Sequence, residues 1–310
     1  MKTTSFFLCA LLFIFLSAPV LSTNQFKQKQ TPESFIKLIS ELNQKNKWKE
    51  FEKQGFTKCA VFDADGTLWK TDFSRAFILE LIKENKFPTK GSGFDKLNEN
   101  LEIFGLEKQP TFSLIFKTFG QAFRTNYKGM IDSASNKGLS EAEAIDIVYS
   151  TYNLVVAGFD LQQISYRAKQ YFKIYFKKNI FDGIVNIQDV LKKHGFEIFV
   201  ASTGIDPVVK AGSSFLDIKD SHVRGTKSVL QNNIILPEID FPIHMGKAKE
   251  KSSLEFCKGK PLFVFGDSVA TTDKDMLKLA KFPVAVEPKG KHKKAAVDNG
   301  YFILMMDKRE

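Results

Sequence analysis

The chain has 310 residues and a formal charge of +10 at pH 7, and 43% of its residues are hydrophobic. This composition is globular, and the length suits one domain with an insertion. The lysines are dispersed and no nucleic-acid-binding motif is present, which excludes nucleic acid as the expected partner and indicates a solvated basic surface.

The amino terminus has the pattern of a secretory signal peptide. Lys2 precedes an apolar run over residues 6–16, and small residues around Ser22 form a cleavage site. We expect residues 1–22 to be removed from an exported protein, periplasmic or secreted, that keeps no stable membrane span. The run is short for a transmembrane helix, although an uncleaved anchor is the alternative. Residues 23–56 then form an amino-terminal arm with a helix over Pro32–Phe51.

The first buried strand is expected over residues 59–62. It is followed by two aspartates with one residue between them, Asp63 and Asp65, and then by Gly66. Two ionised carboxylates placed so close repel each other, and Mg²⁺ would remove that cost because it prefers hard oxygen ligands. An aspartate at this position can also act as a covalent nucleophile. The alternative is a strand followed by an ordinary Asp-Gly turn.

Long helical patterns with little strand signal fill residues 73–183. Ser140 opens a capping box before a helix that runs toward Val156, and Asp160 has a similar signature before a helix over Ile164–Lys178. From residue 184 onward helices and strands alternate. The expected fold is therefore α/β, a doubly wound parallel sheet with an inserted all-helical domain and a site at the carboxyl ends of the strands.

Two further buried strands end in polar residues. Residues 196–201 lead into Ser202, Thr203 and Gly204, and residues 261–265 lead into Gly266 and Asp267. A small hairpin is expected within residues 222–235, and the last strands are expected over residues 283–286 and 301–305. Because these polar residues follow strands of one parallel sheet, we expect them at one edge with the two aspartates of the first strand.

The polar residues after these three strands resemble, in order and placement, motifs I, II and IV of the haloacid-dehalogenase-type phosphatase superfamily. Lys247 resembles the lysine of motif III. The resemblance covers most of residues 57–287. It implies Asp63 as the nucleophile and Asp65 as the general acid and base. The presence of Asp65 argues against a dehalogenase. The resemblance also implies charge neutralisation at the phosphoryl group by Ser202 and by Lys247 of motif III, with Thr203 and Gly204 in the same site. The implied Mg²⁺ ligands are acidic residues of motifs I and IV: Asp63, Asp65, Asp267 and Asp273.

Each downstream residue has another interpretation. Ser202 and Thr203 could cap the following helix, although Asp206 is a better start signal. Lys249 is the rival of Lys247 in a lysine-rich run. Asp273 matches the Asp-x-x-Met-Leu ending of the superfamily, with a lengthened loop before it, but could instead cap a helix.

The helical insertion resembles a type 1 cap, as in the phosphoserine-phosphatase-like branch, which includes exported phosphorylcholine phosphatases. The catalytic core would then comprise residues 57–72 and 184–310, and the cap residues 73–183. That branch places an ammonium-binding acid nine residues after the nucleophile, a position that Asp72 occupies here. Trp69 could face a quaternary ammonium group, and its alternative is packing in the core beneath the cap.

The resemblance thus implies an exported, Mg²⁺-dependent phosphoric monoester hydrolase whose partner is a small-molecule phosphomonoester, with an amine or choline group as one option. A phosphotransferase or mutase on the same fold and a non-catalytic binding protein are the alternatives. Cys59 and Cys257 remain after the signal peptide, and an exported protein can oxidise them to a disulfide. Two independent buried cysteines are equally compatible with the sequence.

Overall fold

The structure is a computed structural model that describes residues 29–84 and 92–306. The expected signal peptide, residues 1–22, lies outside the described residues. The strands are β1 (Lys29–Gln30), β2 (Phe56–Phe62), β3 (Glu197–Ile205), β4 (Val223–Thr226), β5 (Ser228–Gln231), β6 (Ile234–Ile239), β7 (Lys260–Gly266), β8 (Phe282–Val286) and β9 (Phe302–Leu304).

Thirteen α-helices occur in the described part of the chain. They are α1 (Pro32–Gln44), α2 (Trp48–Glu52), α3 (Phe73–Glu84), α4 (Ser92–Ile103), α5 (Phe112–Thr125), α6 (Tyr127–Asn136), α7 (Glu141–Val155), α8 (Leu161–Asn179), α9 (Asp182–Lys193), α10 (Asp206–Ser214), α11 (Lys247–Cys257), α12 (Lys274–Leu277) and α13 (Gly290–Asp298).

A seven-stranded sheet forms the centre of the described structure. Its strand order is β1-β9-β8-β7-β2-β3-β4, and every pair in it is parallel. The chain leaves β2 toward β3 and β4 on one side, and later fills the other side with β7, β8 and β9. The order therefore reverses between β2 and β7, which is where doubly wound sheets bind ligands. The expected fold class is confirmed.

Both faces of the sheet are covered, which explains why its central strands are apolar at successive positions. On β2, Ala60 and Phe62 face one hydrophobic cluster, and Cys59 and Val61 face the other. The first cluster includes residues of α1, α2, α9 and the inserted helices, and the second includes residues of α11, α12 and α13. This two-sided burial fixes β2 rigidly in the middle of the molecule.

All secondary structure described between β2 and β3 is helical, as the sequence pattern indicates. Ser140 closes a reciprocal capping box with Glu143 at the start of α7, and Asp160 caps α8. The expected boundary at residue 183 falls in the first turn of α9, a helix that packs against α1 and β3 of the sheet.

Two local expectations are corrected. The helix expected over Pro32–Phe51 is divided into α1 and α2, because Asn46 takes a left-handed conformation (φ 50°). The expected hairpin is displaced toward the carboxyl terminus, since β4 joins the main sheet and the antiparallel pair is β5 with β6. Asn232 and Asn233 form its turn with positive φ, as two-residue hairpin turns require.

Cys59 and Cys257 form a disulfide, with their Cα atoms 5.5 Å apart. The bond joins Cys59, in the middle of β2, to the last residue of α11. No helix in the described ranges combines the length and apolar character needed to cross a membrane.

Candidate active site

Three strand ends meet at the position where the strand order reverses. Phe62, the last residue of β2, pairs with Phe265 of β7 and with Val200 of β3. Asp63 directly follows β2 and Asp267 directly follows β7, so both emerge at the same edge of the sheet. Together with Ser202 of β3, they line a cavity of about 350 Å³.

A buried lysine links two of the aspartates. The Nζ atom of Lys249 donates to Asp63 Oδ1 at 2.6 Å and to Asp273 Oδ1 at 2.7 Å. The side chain of Lys249 is only 1% exposed. Burial alone would lower the pKa of Lys249, but the Asp273 and Asp63 carboxylates outweigh this effect and raise it. Lys249 is therefore a fixed positive charge beside Asp63.

The structure places Lys249, not Lys247, at this position and so corrects the motif III expectation. The side chain of Lys247 is 79% exposed and pairs with Glu250 at the start of α11. Two residues correspond to about 200° around a helix, so the two lysines point to opposite sides. Ser253 and Cys257, four and eight residues after Lys249, are buried on its face of α11. That spacing in the sequence could have identified Lys249.

The Asp-Gly turn after β2 fits closely against Asp267. Gly66 has a φ of 79°, and a Cβ atom at this position would lie 2.6 Å from Asp267 Oδ2. A larger residue would therefore be strained by its backbone conformation and would clash with the carboxylate. Gly66 lets the motif I and motif IV loops approach each other.

Asp63, Asp267 and Asp273 form an acidic cluster in which one carboxylate oxygen of each lies within 4.8 Å of the others. Lys249 supplies one positive charge, so two negative charges remain uncompensated when all three carboxylates ionise. Hard oxygen donors with this charge balance fit Mg²⁺. The cap interpretation of Asp273 is wrong: it lies at the amino end of α12, but its side chain makes no capping hydrogen bond there.

The pKa values of the cluster reflect burial and mutual repulsion. Burial raises the pKa of Asp63 well above its ordinary value, repulsion from Asp273 adds to this, and Lys249 opposes it. Burial and Asp273 likewise raise the pKa of Asp267 to about 7. A divalent cation would favour the ionised forms and bring both values down.

Asp65 occupies a different environment from the acidic cluster, although it was expected to be a metal ligand. Its Oδ1 accepts hydrogen bonds from Trp69 Nε1 at 2.5 Å and from the backbone N–H of Phe73 at 2.9 Å. Asp65 does not belong to the three-aspartate cluster, although it lines the same cavity. Burial, with repulsion from Asp72, raises the pKa of Asp65 to about 8. A carboxyl group of this kind is protonated at neutral pH and can donate a proton.

The segment after β3 supplies hydroxyl and backbone groups to the same cavity. Ser202 is buried, and its Oγ accepts from the backbone N–H of Gly204 at 3.1 Å. The buried Oγ1 of Thr203 has no hydrogen-bond partner among the described residues. A buried hydroxyl without a partner is costly, so an acceptor entering the cavity would satisfy it. Helix α10 receives no side-chain cap from Ser202 or Thr203.

His244 holds this segment against α11. Its Nδ1 lies 2.9 Å from the carbonyl oxygen of Ser202, and its Nε2 lies 2.8 Å from Ser252 Oγ. A carbonyl oxygen only accepts, so the neutral ring donates through Nδ1 and accepts from Ser252 at Nε2. Burial lowers the pKa of His244 to about 4, which keeps this ring neutral.

The two residues expected to meet a cationic substrate group separate in the structure. Asp72 lines the cavity, and its Oδ1 accepts from the backbone N–H of Arg75 at the start of α3. Trp69 is only 1% exposed and does not line the cavity. Its ring packs against Phe73 and Phe172. The core-packing interpretation of Trp69 is therefore correct, because α8 covers the ring.

Several cavity residues were not identified from the sequence because they have no local motif. Their side chains reach the cavity from the motif loops or from α3 and α7. They are Lys70, Ser74, Tyr149, Tyr152, Ser268 and Thr272. Ser74 shows how they act, since its Oγ accepts from the backbone N–H of Ile205 and joins α3 to the end of β3.

No protein-family model and no curated protein matches the chain. Solved structures do match. A protein of unknown function from Bordetella pertussis Tohama I is 13% identical, with 81% of this chain and 100% of that chain covered and a TM-score of 0.56. A functionally unknown protein from Anaerococcus prevotii DSM 20548 is 16% identical, with 80% and 85% covered and a TM-score of 0.54. A HAD family hydrolase from Salmonella enterica serovar Typhi is 14% identical, with 78% and 67% covered and a TM-score of 0.46.

At these low sequence identities, structural similarity supports a shared fold and nothing more. The first two structures, with TM-scores of 0.56 and 0.54, provide that support. Three of the four motif segments end strands of the doubly wound sheet, and α11 brings Lys249 to the same edge. The chain shares its doubly wound α/β fold with those two structures, and its strand ends are arranged as the resemblance to haloacid-dehalogenase-type phosphatases implies.

Proposed function

We propose that this protein is a Mg²⁺-dependent phosphomonoesterase that acts through a phosphoaspartate on Asp63. The observation that carries the proposal is the pairing of Asp63 with the buried Lys249 inside an acidic cluster that opens on a cavity. A buried lysine that fixes one carboxylate oxygen leaves the other able to react. A non-catalytic binding protein has no need of this arrangement beside Asp65, whose raised pKa suits a proton donor.

Asp63, Asp267 and Asp273 would hold the Mg²⁺ ion, because their oxygen donors and net charge fit it. An ion held there would supply positive charge for the phosphoryl oxygens and would help to orient the group for attack. Ser268 donates its backbone N–H to Asp273 Oδ2 at 2.9 Å and so fixes the orientation of that ligand.

The protein residues can carry both chemical steps. In the first, an oxygen of Asp63 attacks phosphorus, the bond to the ester oxygen breaks, and Asp65 gives its proton to the departing oxygen. In the second, Asp65 takes a proton from a water molecule whose oxygen attacks phosphorus, and the bond to Asp63 breaks. Such acid–base help is typically worth about 10²–10⁴ in rate. The partnerless Thr203 hydroxyl can donate to a phosphoryl oxygen throughout both steps.

Export is part of the proposal and rests on two observations. The first 22 residues have the signal-peptide pattern, and the disulfide between Cys59 and Cys257 suits an oxidising compartment. Amino-terminal sequencing of the protein from its native host should give a mature chain that begins near Thr23. A chain that retains Met1 would contradict export by cleavage.

The proposal is tested with a panel of phosphomonoesters assayed after chelation and again after Mg²⁺ is restored. We expect inorganic phosphate release that is lost with the chelator and recovered with Mg²⁺, and inhibition by beryllofluoride. Release of equal phosphate with and without the ion would contradict the role of the cluster. Phosphate that appears on a second alcohol instead of in solution would identify a phosphotransferase.

The expected amine or choline group of the substrate now depends on Asp72 alone, because Trp69 is buried in the core. One carboxylate oxygen of Asp72 already accepts a hydrogen bond from the backbone N–H of Arg75 in α3. Further contacts with the alcohol part of the substrate would therefore come from the rest of the inserted helices.

A further inference from the structure

A second and larger cavity, of about 680 Å³, lies among the inserted helices and adjoins the catalytic cavity. We call it the cap chamber. The two cavities share Asp72, Tyr149 and Tyr152 in their walls. The volume is in the range of small-molecule sites, about 300–1,000 Å³. An alcohol as small as serine, ethanolamine or choline would leave most of this space empty.

One face of α5 is directed into the cap chamber. Ser113, Lys117, Gly120 and Arg124 recur at the three- and four-residue spacing of a single helix face and line the cavity together. Gly120 leaves room there, since a Cβ atom at this position would meet only the side chain of Arg124, at 3.7 Å. Helices α3 and α7 complete the wall.

Aromatic and aliphatic side chains make up much of this wall and remain open to the space. Phe116 and Tyr152 stack on each other with ring centres 5.9 Å apart. Leu79 is 46% exposed and Phe123 is 37% exposed, although both line a concave surface. A planar apolar ligand would remove these side chains from water.

The charged groups of the cap chamber are mostly cationic. Arg75, Lys117 and Arg124 line it, and Asp72 is the single acidic residue in the described part of its wall. Among the described residues, neither Lys117 nor Arg124 forms an ion pair or a side-chain hydrogen bond. Both line only the cap chamber and not the catalytic cavity, whereas Asp72 lies at the junction of the two.

We propose that the cap chamber binds the alcohol part of the substrate, and that this part is an aromatic group carrying a second anionic group. The proposal rests on the phosphomonoesterase function of the Asp63 site. The aromatic body would contact Phe116 and Phe123, and the anion would lie beside Lys117 and Arg124. Asp72 would repel an anion near the junction and so favours its placement deeper in the chamber.

The test compares two esters that differ in one charge, 6-phosphooxy-2-naphthoate and the neutral 6-phosphooxy-2-naphthamide. We expect wild-type kcat/KM to be about tenfold higher for the carboxylate, as two solvent-accessible charge contacts allow. In the Lys117→Gln/Arg124→Gln variant this ratio should fall to about one. The change in this ratio between the two proteins is independent of the intrinsic difference between the leaving groups, because that difference is the same for both proteins.

The matched control is Lys169→Gln/Lys173→Gln, which removes two exposed cations of α8 outside the chamber wall. It lowers the net charge equally and should leave the ratio of the two esters near its wild-type value. An equal fall in the control would show that general attraction to a basic protein, and not the chamber, sets the preference, and would overturn the proposal.

A binding measurement tests the chamber without relying on turnover. Calorimetry should detect saturable binding of the product-like 6-hydroxy-2-naphthoate to the wild type, and about tenfold weaker binding to the Lys117→Gln/Arg124→Gln variant. Equal binding by both proteins would overturn the chamber proposal. So would a preference for phosphocholine over its neutral isostere 3,3-dimethylbutyl phosphate. Absence of phosphate release from every ester, with naphthoate binding intact, would instead remove the proposed function and leave the chamber as a site for aromatic anions.

Discussion

Lys249 connects the reacting carboxylate to the acidic cluster. A buried ammonium group is tolerated only with partners, and Asp63 and Asp273 supply them at 2.6 and 2.7 Å. Lys249 also stabilises the two carboxylates, because without it they would repel each other inside the protein. The residue therefore has a structural and an electrostatic role that its neighbours in the lysine-rich run cannot share.

Replacing Lys249 by Met should abolish most activity, whereas replacing Lys247 by Met should not. We expect Lys249→Met to lower kcat at least about 10²-fold, the usual effect of losing one preorganised charge donor. It should also lower the free energy of unfolding by about 3–5 kcal/mol, since a buried pair loses one partner. Steady-state kinetics and urea unfolding measure both effects.

The Lys247→Met control changes an exposed residue on the same helix, and its unfolding free energy should stay within about 0.5 kcal/mol of the wild type. Comparable loss of activity in both variants would contradict the assignment of Lys249.

Asp65 should give the reaction a pH dependence that varies with the leaving group. Its pKa of about 8 means that the acid form predominates at pH 7 and is lost as the pH rises through 8. A departing alkoxide needs the proton, whereas p-nitrophenolate leaves without it. We expect kcat/KM for an alkyl phosphate to fall above pH 8 more steeply than for p-nitrophenyl phosphate.

Asp65→Asn should remove most of this difference in pH dependence and should slow the alkyl ester more than the aryl ester. Parallel pH profiles for the two esters in the wild type would argue against Asp65 as the proton donor.

At the scale of secondary-structure elements, His244 joins the end of β3 to α11. Its two ring nitrogens contact the carbonyl oxygen of Ser202 and the hydroxyl of Ser252, and Ser252 lies one turn from Lys249. The motif II strand end and the motif III helix are therefore held together by a neutral, buried imidazole. This contact aligns hydroxyl and lysine groups that come from distant parts of the chain.

His244 should make the fold sensitive to mild acid. Its pKa is about 4 in the folded protein and about 6.5 in the unfolded chain, so the unfolded state binds the extra proton first. This contribution to stability is complete above pH 6.5 and declines as the pH falls toward 4. The total loss is roughly 3 kcal/mol at most.

Urea unfolding of the wild type and of His244→Asn measures this effect. Asn can still donate to the Ser202 carbonyl but does not titrate, so its unfolding free energy should decline less between pH 6.5 and 4. Identical pH dependence in the two proteins would assign the acid sensitivity to other groups.

Local sequence signals specified several elements well. Ser140 and Asp160 mark helix starts because capping depends on residues within one turn, and both caps are present. The division between α1 and α2 was missed because Asn46 is one residue in a left-handed conformation inside an otherwise helical pattern. The position of the hairpin was missed because β4 pairs with β3, a contact that local sequence does not encode.

At the scale of the whole molecule, the doubly wound sheet follows from alternating helices and strands, and its order brings Asp63, Ser202 and Asp267 to one edge. These residues could be predicted because each directly follows an apolar strand. The burial of Trp69 could not, since Phe172 lies about a hundred residues away in the sequence. The cap chamber likewise depends on how three helices pack, and no single helix predicts it.

The disulfide adds a connection between the two halves of the fold. Cys59 lies on the nucleophile strand, and Cys257 ends the helix that carries Lys249. The bond thus ties the middle of β2 to the end of α11, while Lys249 and Asp63 join the start of α11 to the segment directly after β2 near the cavity.

The central claim is that Asp63 carries the phosphoryl group. The most direct measurement traps the enzyme during turnover with acid, reduces it with borohydride, and examines the peptide that contains residue 63 by mass spectrometry. Reduction of an aspartyl phosphate converts the residue to homoserine. The account predicts homoserine at position 63 in the wild type with Mg²⁺, and none in Asp63→Asn, which should also release no phosphate. Unmodified Asp63 throughout turnover, or full activity in Asp63→Asn, would contradict it.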